Sequence, residues 1–463
     1  MAGQPEVLLM DPYVDYAQRL IPLLAERHGV RTVALYSDRE KLRKNLRRAP
    51  ECRGPHVSAS YLVDPDDPRD LDAVVDVLRR RHQVVAVLPV GEPDVLPLSR
   101  IADALGIATN DLATMERFRD KAALKDQLRS VPGGPRVNAS VLVSSAADVR
   151  TAMGEHGLDR VVLKPNAGVS NRDVLYADAA TPDSVLAAYF GGRGEDVLLE
   201  EYVGGEEFFV NGQVDEAGEV HVFSVSQYVR REINGRAGVS VGDFTVRTDR
   251  ADFATAADYA REVLRATGVR RVPFHLEAKI DERGACLIEV AARLCGANIV
   301  FRDIDAHAGL DVLGIAAHHA LSADPYGPYA LDWAAYDARV RGLVQGIATS
   351  DERVWSLRGR AQVEAMPQFV RWDTRPEFGG HVVPTVDFSS VAWRASVACR
   401  DEDDYHRTGD LMRSTIRIND GSRRLGRLRE LPAYVPPVAN QVYGRVSPGV
   451  RLEPVGAPAD QPG

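Results

Sequence analysis

The sequence predicts an α/β fold that begins with a Rossmann-like parallel sheet, continues as a mixed α+β region and ends in a strand-rich part. Short apolar runs at residues 7–10, 32–36 and 84–90 alternate with helical patterns near the N-terminus. This βαβ rhythm predicts parallel strands, because each crossover returns the chain to the same end of the sheet. Strands then alternate with a helix at residues 254–267, and turns separate strand-like segments beyond about residue 325.

The length and the turn clusters predict where the domains begin and end. A chain of 463 residues corresponds to about three domains of roughly 150 residues each. We predict an N-terminal domain over residues 1–113, a central region over 114–325, a strand-rich domain over 326–447 and a flexible tail, rich in Pro and Gly, over 448–463.

Composition limits the classes of function. The formal net charge is -9, which removes the electrostatic basis for nucleic-acid binding. No apolar run approaches the roughly 20 residues that span a bilayer, so no membrane partner is expected. The four cysteines lie far apart without metal-ligand or redox spacing, and the N-terminus lacks the pattern of a signal peptide. We therefore expect a cytoplasmic protein.

Further elements follow from local patterns. The first strand–helix units carry no G-x-G-x-x-G fingerprint, so dinucleotide binding is not predicted. A helix predicted from about residue 114 to residue 128 ends at the breaker formed by residues 132–135. Later elements are predicted strands and a short helix, at residues 161–165, 197–203, 207–212, 221–225 and 403–416.

Residues 274–290 predict a β-hairpin with charged groups on one face. Apolar and polar residues alternate from residue 274 to residue 281, which is the period of a strand with one polar face. A three-residue loop over residues 282–284, with its glycine in the left-handed conformation, would place Glu277 opposite Glu289. The Cβ atoms of such a pair lie roughly 5 Å apart.

The pair of carboxylates predicts a metal site. Two carboxylates this close repel unless a cation lies between them, and Mg²⁺ prefers oxygen ligands. The same register pairs Lys279 with Leu287. An exposed hairpin with two solvated glutamates is the alternative, but Glu289 lies in an apolar run over residues 286–292, where an unpaired carboxylate would be costly.

Two further segments carry residues suited to a nucleotide. Lys164 ends an apolar strand and precedes a loop whose backbone N–H groups and Ser170 would cover a phosphate. The strand at residues 197–203 leads through a Gly-Gly turn to Glu207, where a carboxylate would reach ribose hydroxyls. Each pattern alone is also typical of an ordinary strand end or an acidic β-turn.

The order of these elements resembles the ATP-grasp superfamily. The matching pattern runs through Lys121, Lys164, the acidic turn at residues 200–207, Glu277 and the segment 289–293. The strand-rich end and the Glu-x-x-x-Arg spacing are similar to the L-amino-acid ligase branch, which includes dipeptide synthetases. The resemblance implies an ATP-grasp fold with an N-terminal Rossmann-like domain, a central two-lobed ATP-binding region and a β-rich C-terminal part.

The resemblance also implies a role for each matching residue. ATP phosphates would be bound by Lys121, Lys164 and Ser170, adenine by Glu200 and the backbone of Tyr202 and Val203, ribose by Glu207, magnesium by Glu277 and Glu289, and reacting charge by Arg293. Manganese is an expected substitute for magnesium, and a homodimer is implied by analogy. These charges suit phosphoryl transfer, which needs positioning and charge neutralisation more than covalent protein chemistry.

The chain departs from the superfamily pattern beside the predicted metal site. Ala291 stands where many members have an asparagine, two residues after the second metal carboxylate, so water or Asn298 would complete the shell. The phosphate loop also has fewer glycines than usual. Substrate recognition is predicted on residues 226–232, where Arg230 and Arg231 alternate so that one of them faces the pocket and clamps a carboxylate.

These residues predict an ATP-dependent ligase. It would join a carboxylate, such as an amino acid, to an amine through an acyl phosphate, with release of ADP and phosphate. His275 shares the predicted metal face and is either a general base for the amine or a structural histidine behind the metal. The alternatives are another ATP-grasp reaction, such as that of a carboxylase-like or purine-pathway ligase, and a non-catalytic ATP-binding protein.

Overall fold

The computed structural model describes residues 4–167, 173–194, 196–296, 309–375 and 377–419. Ser170, Asn298 and the predicted tail therefore lie outside the described residues. Within these ranges no helix is both long enough and apolar enough to cross a membrane.

The described chain contains both strands and helices along its length. The strands are β1 (Glu6–Met10), β2 (Arg31–Tyr36), β3 (Val57–Leu62), β4 (Val84–Val87), β5 (Ser140–Val143), β6 (Arg160–Pro165), β7 (Leu175–Asp178), β8 (Val197–Glu201), β9 (Glu206–Val214), β10 (Val220–Ile233), β11 (Arg236–Thr245), β12 (Val272–Asp281), β13 (Gly284–Ala291), β14 (Val340–Gly346), β15 (Glu352–Arg353), β16 (Leu357–Arg358), β17 (Phe369–Thr374), β18 (His381–Val382), β19 (Trp393–Cys399) and β20 (Arg417–Ile418).

The helices connect these strands. They are α1 (Val14–His28), α2 (Arg39–Arg48), α3 (Pro68–Arg81), α4 (Val95–Leu105), α5 (Leu112–Arg119), α6 (Lys121–Ser130), α7 (Ala146–His156), α8 (Asp183–Phe190), α9 (Ala251–Thr267), α10 (Val312–Leu321), α11 (Trp333–Asp337), α12 (Arg360–Glu364) and α13 (Glu402–Thr415). Short 3₁₀ helices lie at Pro50–Arg53 and Glu92–Asp94.

The N-terminal part forms a parallel sheet, which confirms the Rossmann-like prediction. Its strands lie in the order β3-β2-β1-β4, and each neighbouring pair is parallel. Leu9 of β1 packs with α1, whereas Leu8 packs with α3 and α4. Both faces of β1 are therefore covered, which explains why its residues read as a continuous apolar run. Strand β3 was not predicted, because serines interrupt its apolar residues. It lies at the edge of the sheet and is only partly buried.

Two antiparallel sheets dominate the rest of the described chain. A small sheet has the order β5-β8-β6-β7, and a large sheet of eight strands has the order β13-β12-β9-β10-β11-β14-β19-β17. Helix α9 covers one face of the large sheet near β9 and β12, and α13 covers the same sheet near β14 and β19. Strands from both sides of residue 325 thus share one sheet, and the predicted domain boundaries stay predictions.

The predicted helix from residue 114 to residue 128 is in fact two helices, α5 and α6. Asp120 separates them, with its backbone in an extended conformation and its side chain accepting a hydrogen bond from the N–H of Ala123 at 2.9 Å. An aspartate in this position satisfies a donor of the first turn, so it starts a new helix. As a result α6 begins at Lys121.

The hairpin register is confirmed at its chemically important end and wrong near its turn. Glu277 lies opposite Glu289, and the glycine at position 284 has φ +99° as predicted. The loop is one residue shorter than predicted, however, so Lys279 pairs with Cys286 rather than with Leu287. A β-bulge between Glu277 and Ala278 restores the offset, because a bulge places two residues of one strand opposite one of its partner.

The turn between β8 and β9 provides a test of this fold. Gly205 has φ +75°, and a Cβ atom there would lie 1.9 Å from the carbonyl oxygen of Ile280. Gly204 has open space around its Cβ direction. We expect Gly205→Ala to lower the thermal unfolding midpoint, since the left-handed backbone alone costs about 1–2 kcal/mol for an L-residue. Gly204→Ala is the matched control, and equal midpoints for both variants would contradict the close approach of the turn to β12.

Candidate active site

Four predicted site residues meet between the small and large sheets. Lys121 Nζ lies 3.4 Å from Glu289 Oε1, and Lys164 Nζ lies 2.7 Å from Glu200 Oε2. Lys164 also donates to the carbonyl oxygen of Ile288 at 3.2 Å. Residues from α6, β6, β8 and β13 therefore form one charged cluster, although they are far apart in the sequence.

Glu277 is held as a carboxylate by its neighbours. The hydroxyl of Tyr228 donates to Glu277 Oε1 at 2.7 Å, and His275 Nε2 lies 3.4 Å from the same oxygen. Burial favours the protonated form, but contact with His275, the positive charge of Arg230 and the Tyr228 hydrogen bond lower the pKa of Glu277 well below its ordinary value. Glu277 thus presents a fixed negative charge beside Glu289.

His275 is oriented from behind. Its Nδ1 lies 2.8 Å from Asn211 Oδ1, and the amide nitrogen of Asn211 donates to Ser224 Oγ at 3.1 Å. The contact with Asn211 fixes the plane of the His275 ring, and Nε2 is turned toward Glu277. This geometry agrees with a structural histidine that orients Glu277.

A third lysine, which the sequence analysis missed, belongs to the same cluster. Lys125 of α6 forms an ion pair with Glu200 Oε1, and both side chains are almost completely buried. Burial raises the pKa of Glu200, but Lys125 and Lys164 outweigh it and the net pKa is lowered. One signal was available, because Lys121 and Lys125 are spaced four residues apart on a helix face that also carries the buried Leu124.

The bulge in β13 joins the lysines to the carboxylate strand. The carbonyl oxygen of Leu287 accepts from Lys125 at 3.3 Å, and that of Ile288 accepts from Lys164 at 3.2 Å. Consecutive carbonyls of a regular strand point in opposite directions. Since β13 is the edge of the large sheet, the bulge lets both carbonyls reach a lysine.

The predicted nucleotide turn lies beside this cluster. The carbonyl oxygen of Val203 accepts a hydrogen bond from Lys279 at 3.1 Å. The guanidinium of Arg160 lies 4.0 Å from the ring centre of Tyr202. The backbone of this turn is therefore fixed from both sides, and Glu207 follows it at the start of β9.

The two arginines predicted to bind substrate have different environments in the structure. Arg230 pairs with Glu207, and its guanidinium lies 4.2 Å from the ring centre of Tyr228. Burial opposes the charge of Arg230, but Glu207 and Tyr228 raise its pKa. Arg230 also lines a cavity of about 950 Å³ between β7, α8 and the β10–β11 hairpin. Arg231 is exposed, so Arg230 is the one that faces a pocket.

Arg293 is anchored to the N-terminal domain. Its Nε lies 2.7 Å from Glu92 Oε2, and Arg119 contacts the other oxygen of Glu92 at 2.8 Å. Burial raises the pKa of Glu92, but the two arginines lower it overall. This pairing was not predicted from the sequence.

The opposed carboxylates fit a divalent cation in part. Within the described ranges no group of three His, Cys, Asp or Glu side chains surrounds a common point. Glu277 and Glu289 supply two oxygen ligands, whereas Ala291 is buried and offers no ligand from its side chain. Mg²⁺ commonly uses one or two carboxylates and completes its shell with water and phosphate oxygens. The two carboxylates would therefore fit a divalent cation that takes its other ligands from water or phosphate oxygens.

Comparison with known proteins identifies the class. Residues 184–300 match the family model of the ATP-grasp domain. The structure resembles that of an L-amino acid ligase from Bacillus licheniformis, with TM-score 0.69, 16% identity and coverage of 90% of this chain and 99% of that chain. It also resembles N5-carboxyaminoimidazole ribonucleotide synthetase from Thermotoga maritima, with TM-score 0.61, 16% identity and the same coverage of 90% and 99%. The fold of this chain is the ATP-grasp fold, so the fold class predicted from the sequence is confirmed.

Two curated proteins are similar to about half of this chain. It is 27% identical over 224 residues to dapdiamide A synthase of Enterobacter agglomerans, a match that covers 46% of this chain and 52% of that protein. It is 26% identical over 242 residues to the uncharacterized protein y4rH of Sinorhizobium fredii, which covers 50% of this chain and 48% of that protein. The chain thus spans about half the length of the curated relatives it matches.

The hydrogen bond from Tyr228 to Glu277 predicts a measurable effect on metal binding. We expect Tyr228→Phe to weaken magnesium-dependent ATP binding by about 10–100-fold, the usual effect of removing a group that orients a metal ligand. The phenylalanine keeps the ring that packs beside Arg230. Isothermal titration of ATP at several magnesium concentrations measures the change.

A matched control is Tyr61→Phe, which removes a hydroxyl that lies 2.8 Å from His82 Nε2 in the N-terminal sheet. Equal magnesium dependence in both variants would contradict the assigned role of Tyr228.

Proposed function

We propose that this chain is an ATP- and magnesium-dependent ligase that joins a carboxylate to an amine, with release of ADP and phosphate. One observation carries the proposal. Lys121 and Lys164 converge on the strand that carries Glu289, directly opposite Glu277. This arrangement combines cations for phosphate with oxygen ligands for a metal, which is what phosphoryl transfer requires.

The chain's own residues would divide the work. Lys121 and Lys164 would bind the phosphates of ATP, with Glu277 and Glu289 holding magnesium, or manganese in its place. The divalent cation would supply neutralisation of phosphate charge. The buried Glu200 and the fixed turn around Val203 would position the adenine, and Glu207 the ribose. Arg293, fixed by Glu92, would stabilise charge that develops on the transferred phosphoryl group and the acyl centre.

Two steps account for the products. The carboxylate oxygen of the first substrate attacks the terminal phosphorus of ATP, so that an O–P bond forms and the bond to ADP breaks. The amine then attacks the acyl carbon of this acyl phosphate, phosphate leaves, and the amine loses a proton. No side-chain nucleophile is needed. The amide product is consistent with the names of the amino acid ligase and the dapdiamide synthase that this chain resembles.

The cavity beside Arg230 is the candidate substrate site. It adjoins the nucleotide cluster, since the Arg230 guanidinium pairs with the proposed ribose carboxylate Glu207. A guanidinium can bind a carboxylate through two parallel hydrogen bonds. Arg230 would therefore orient an acidic group of a substrate while it keeps contact with Glu207. The homodimer and the cytoplasmic location stay predictions.

Isotope labelling tests the order of the steps. If an acyl phosphate forms, a carboxylate substrate labelled with ¹⁸O must deliver label to inorganic phosphate, and ADP must accumulate. ADP release measured across pairs of amino acids identifies the substrates first, and mass spectrometry of the phosphate then detects the label. Formation of AMP and pyrophosphate would refute the mechanism. Turnover with bicarbonate would favour the carboxylase-like alternative, and ATP binding without turnover the non-catalytic one.

Variants of Arg293 distinguish an effect on catalysis from an effect on ATP binding. We expect Arg293→Ala to bind ATP nearly normally but to lose about 10²–10³ in kcat, as when one preorganised charge contact to a transition state is removed. Arg293→Lys should recover part of the activity, because it keeps the charge beside Glu92. Steady-state kinetics and ATP titration measure both effects. Arg261→Ala, which removes an ion pair with Asp258 elsewhere in the chain, is the control, and a normal kcat for Arg293→Ala would contradict the role.

A further inference from the structure

Glu200 lies between two lysines rather than beside one. Lys164 contacts its Oε2 at 2.7 Å, and Lys125 pairs with its Oε1. Glu200 is 3% exposed and Lys125 is 1% exposed. The three side chains therefore form a buried triad in which two lysines share one carboxylate.

This ratio of charges determines how strongly Glu200 competes with a phosphate for Lys164. If Lys164 alone faced Glu200, the pair would be neutral, and a phosphate would have to compete with the carboxylate for the ammonium. Because Lys125 shares Glu200, the triad keeps a net positive charge in a dry environment, where charges interact strongly. Both lysines reach the bulged strand, Lys125 at Leu287 and Lys164 at Ile288, and Lys164 contacts the carbonyl oxygen of the residue next to Glu289.

Lys125 is held for this purpose by other groups. Its ammonium contacts Asn138 Oδ1 and the carbonyl oxygen of Leu287. Asn138 is itself fixed, because its amide donates to the carbonyl oxygen of Glu201 at 2.8 Å. These contacts hold Lys125 against Oε1 of Glu200, whereas Lys164 contacts Oε2.

We infer that Lys125 is a positioning residue that acts through Glu200: it shares the Glu200 carboxylate with Lys164, so that the carboxylate competes less with the phosphates of ATP for Lys164. The inference rests on the proposed function, in which Lys164 binds those phosphates. It assigns a role to a lysine that would not contact the nucleotide.

The test compares ATP with adenosine, which lacks the phosphates. Lys125→Met keeps the length and packing of the side chain but removes its charge. We expect this variant to bind ATP roughly tenfold or more weakly, the effect of weakening one charge-assisted contact, while adenosine affinity changes by less than about threefold. Isothermal titration measures both ligands, and Lys44→Met on the exposed face of α2 is the control.

A double-mutant cycle with Glu200→Gln tests the route of the effect. Glu200→Gln removes the carboxylate that competes with the phosphates for Lys164, whether Lys125 is present or not, so the loss of ATP affinity caused by Lys125→Met should largely disappear. Lys125→Arg should bind ATP better than Lys125→Met, because it keeps the charge.

The outcomes separate this inference from the function on which it rests. Equal ATP affinity of the wild type and Lys125→Met would overturn the inference alone. An equal loss of ATP and adenosine affinity would also overturn it, since Lys125 would then only support the pocket. The same ATP loss in both Glu200 backgrounds would show an effect that does not pass through Glu200. A wild-type chain that binds no ATP would overturn the proposed function as well.

Discussion

Two carboxylates on neighbouring strands cannot both keep their charge unless cations or hydrogen-bond donors surround them. The β12–β13 register places Glu277 and Glu289 in this situation. Neighbouring residues supply the cations and hydrogen-bond donors that compensate the two negative charges. Tyr228 and His275 hold Glu277 from the interior of the large sheet, while Lys121 reaches Glu289 from α6. The hairpin therefore sets the charges that the neighbouring helices and sheets have to balance.

The β-bulge at Ile288 makes this arrangement possible. A regular strand would have kept the one-residue offset that starts at the short turn, and the glutamate side chains would then lie on opposite faces. The bulge restores their pairing and also turns two consecutive carbonyls toward Lys125 and Lys164. This one bulge thus aligns the candidate metal ligands and links their strand to Lys125 of α6 and Lys164 of the small sheet.

Sequence patterns predicted features that depend on neighbouring residues and missed contacts between residues that are far apart in the sequence. Alternation from residue 274 to residue 281 gave the polar face of β12, because that pattern depends only on neighbouring residues. The run over residues 286–292 is apolar without alternation, so neither the bulge nor the turn length was visible. The pairing of Arg293 with Glu92 joins residues 201 positions apart, and no local pattern encodes it. Lys125 has the sequence context of an ordinary helix lysine, because its partner Glu200 lies far away in the sequence, on β8 of the small sheet.

Stability alone does not account for the buried charges. Replacing a buried ion pair with well-packed apolar residues is often neutral or stabilising by about 1–4 kcal/mol, because desolvation offsets the attraction. The triad of Lys125, Glu200 and Lys164 is almost without solvent contact, so three apolar side chains would pack the same space at lower cost. What they would not supply is a fixed positive charge facing the strand of Glu289. The triad is therefore best explained by the positive charge that it presents to a ligand. Its three members lie on α6, β6 and β8, so this charge depends on the packing of those elements against one another.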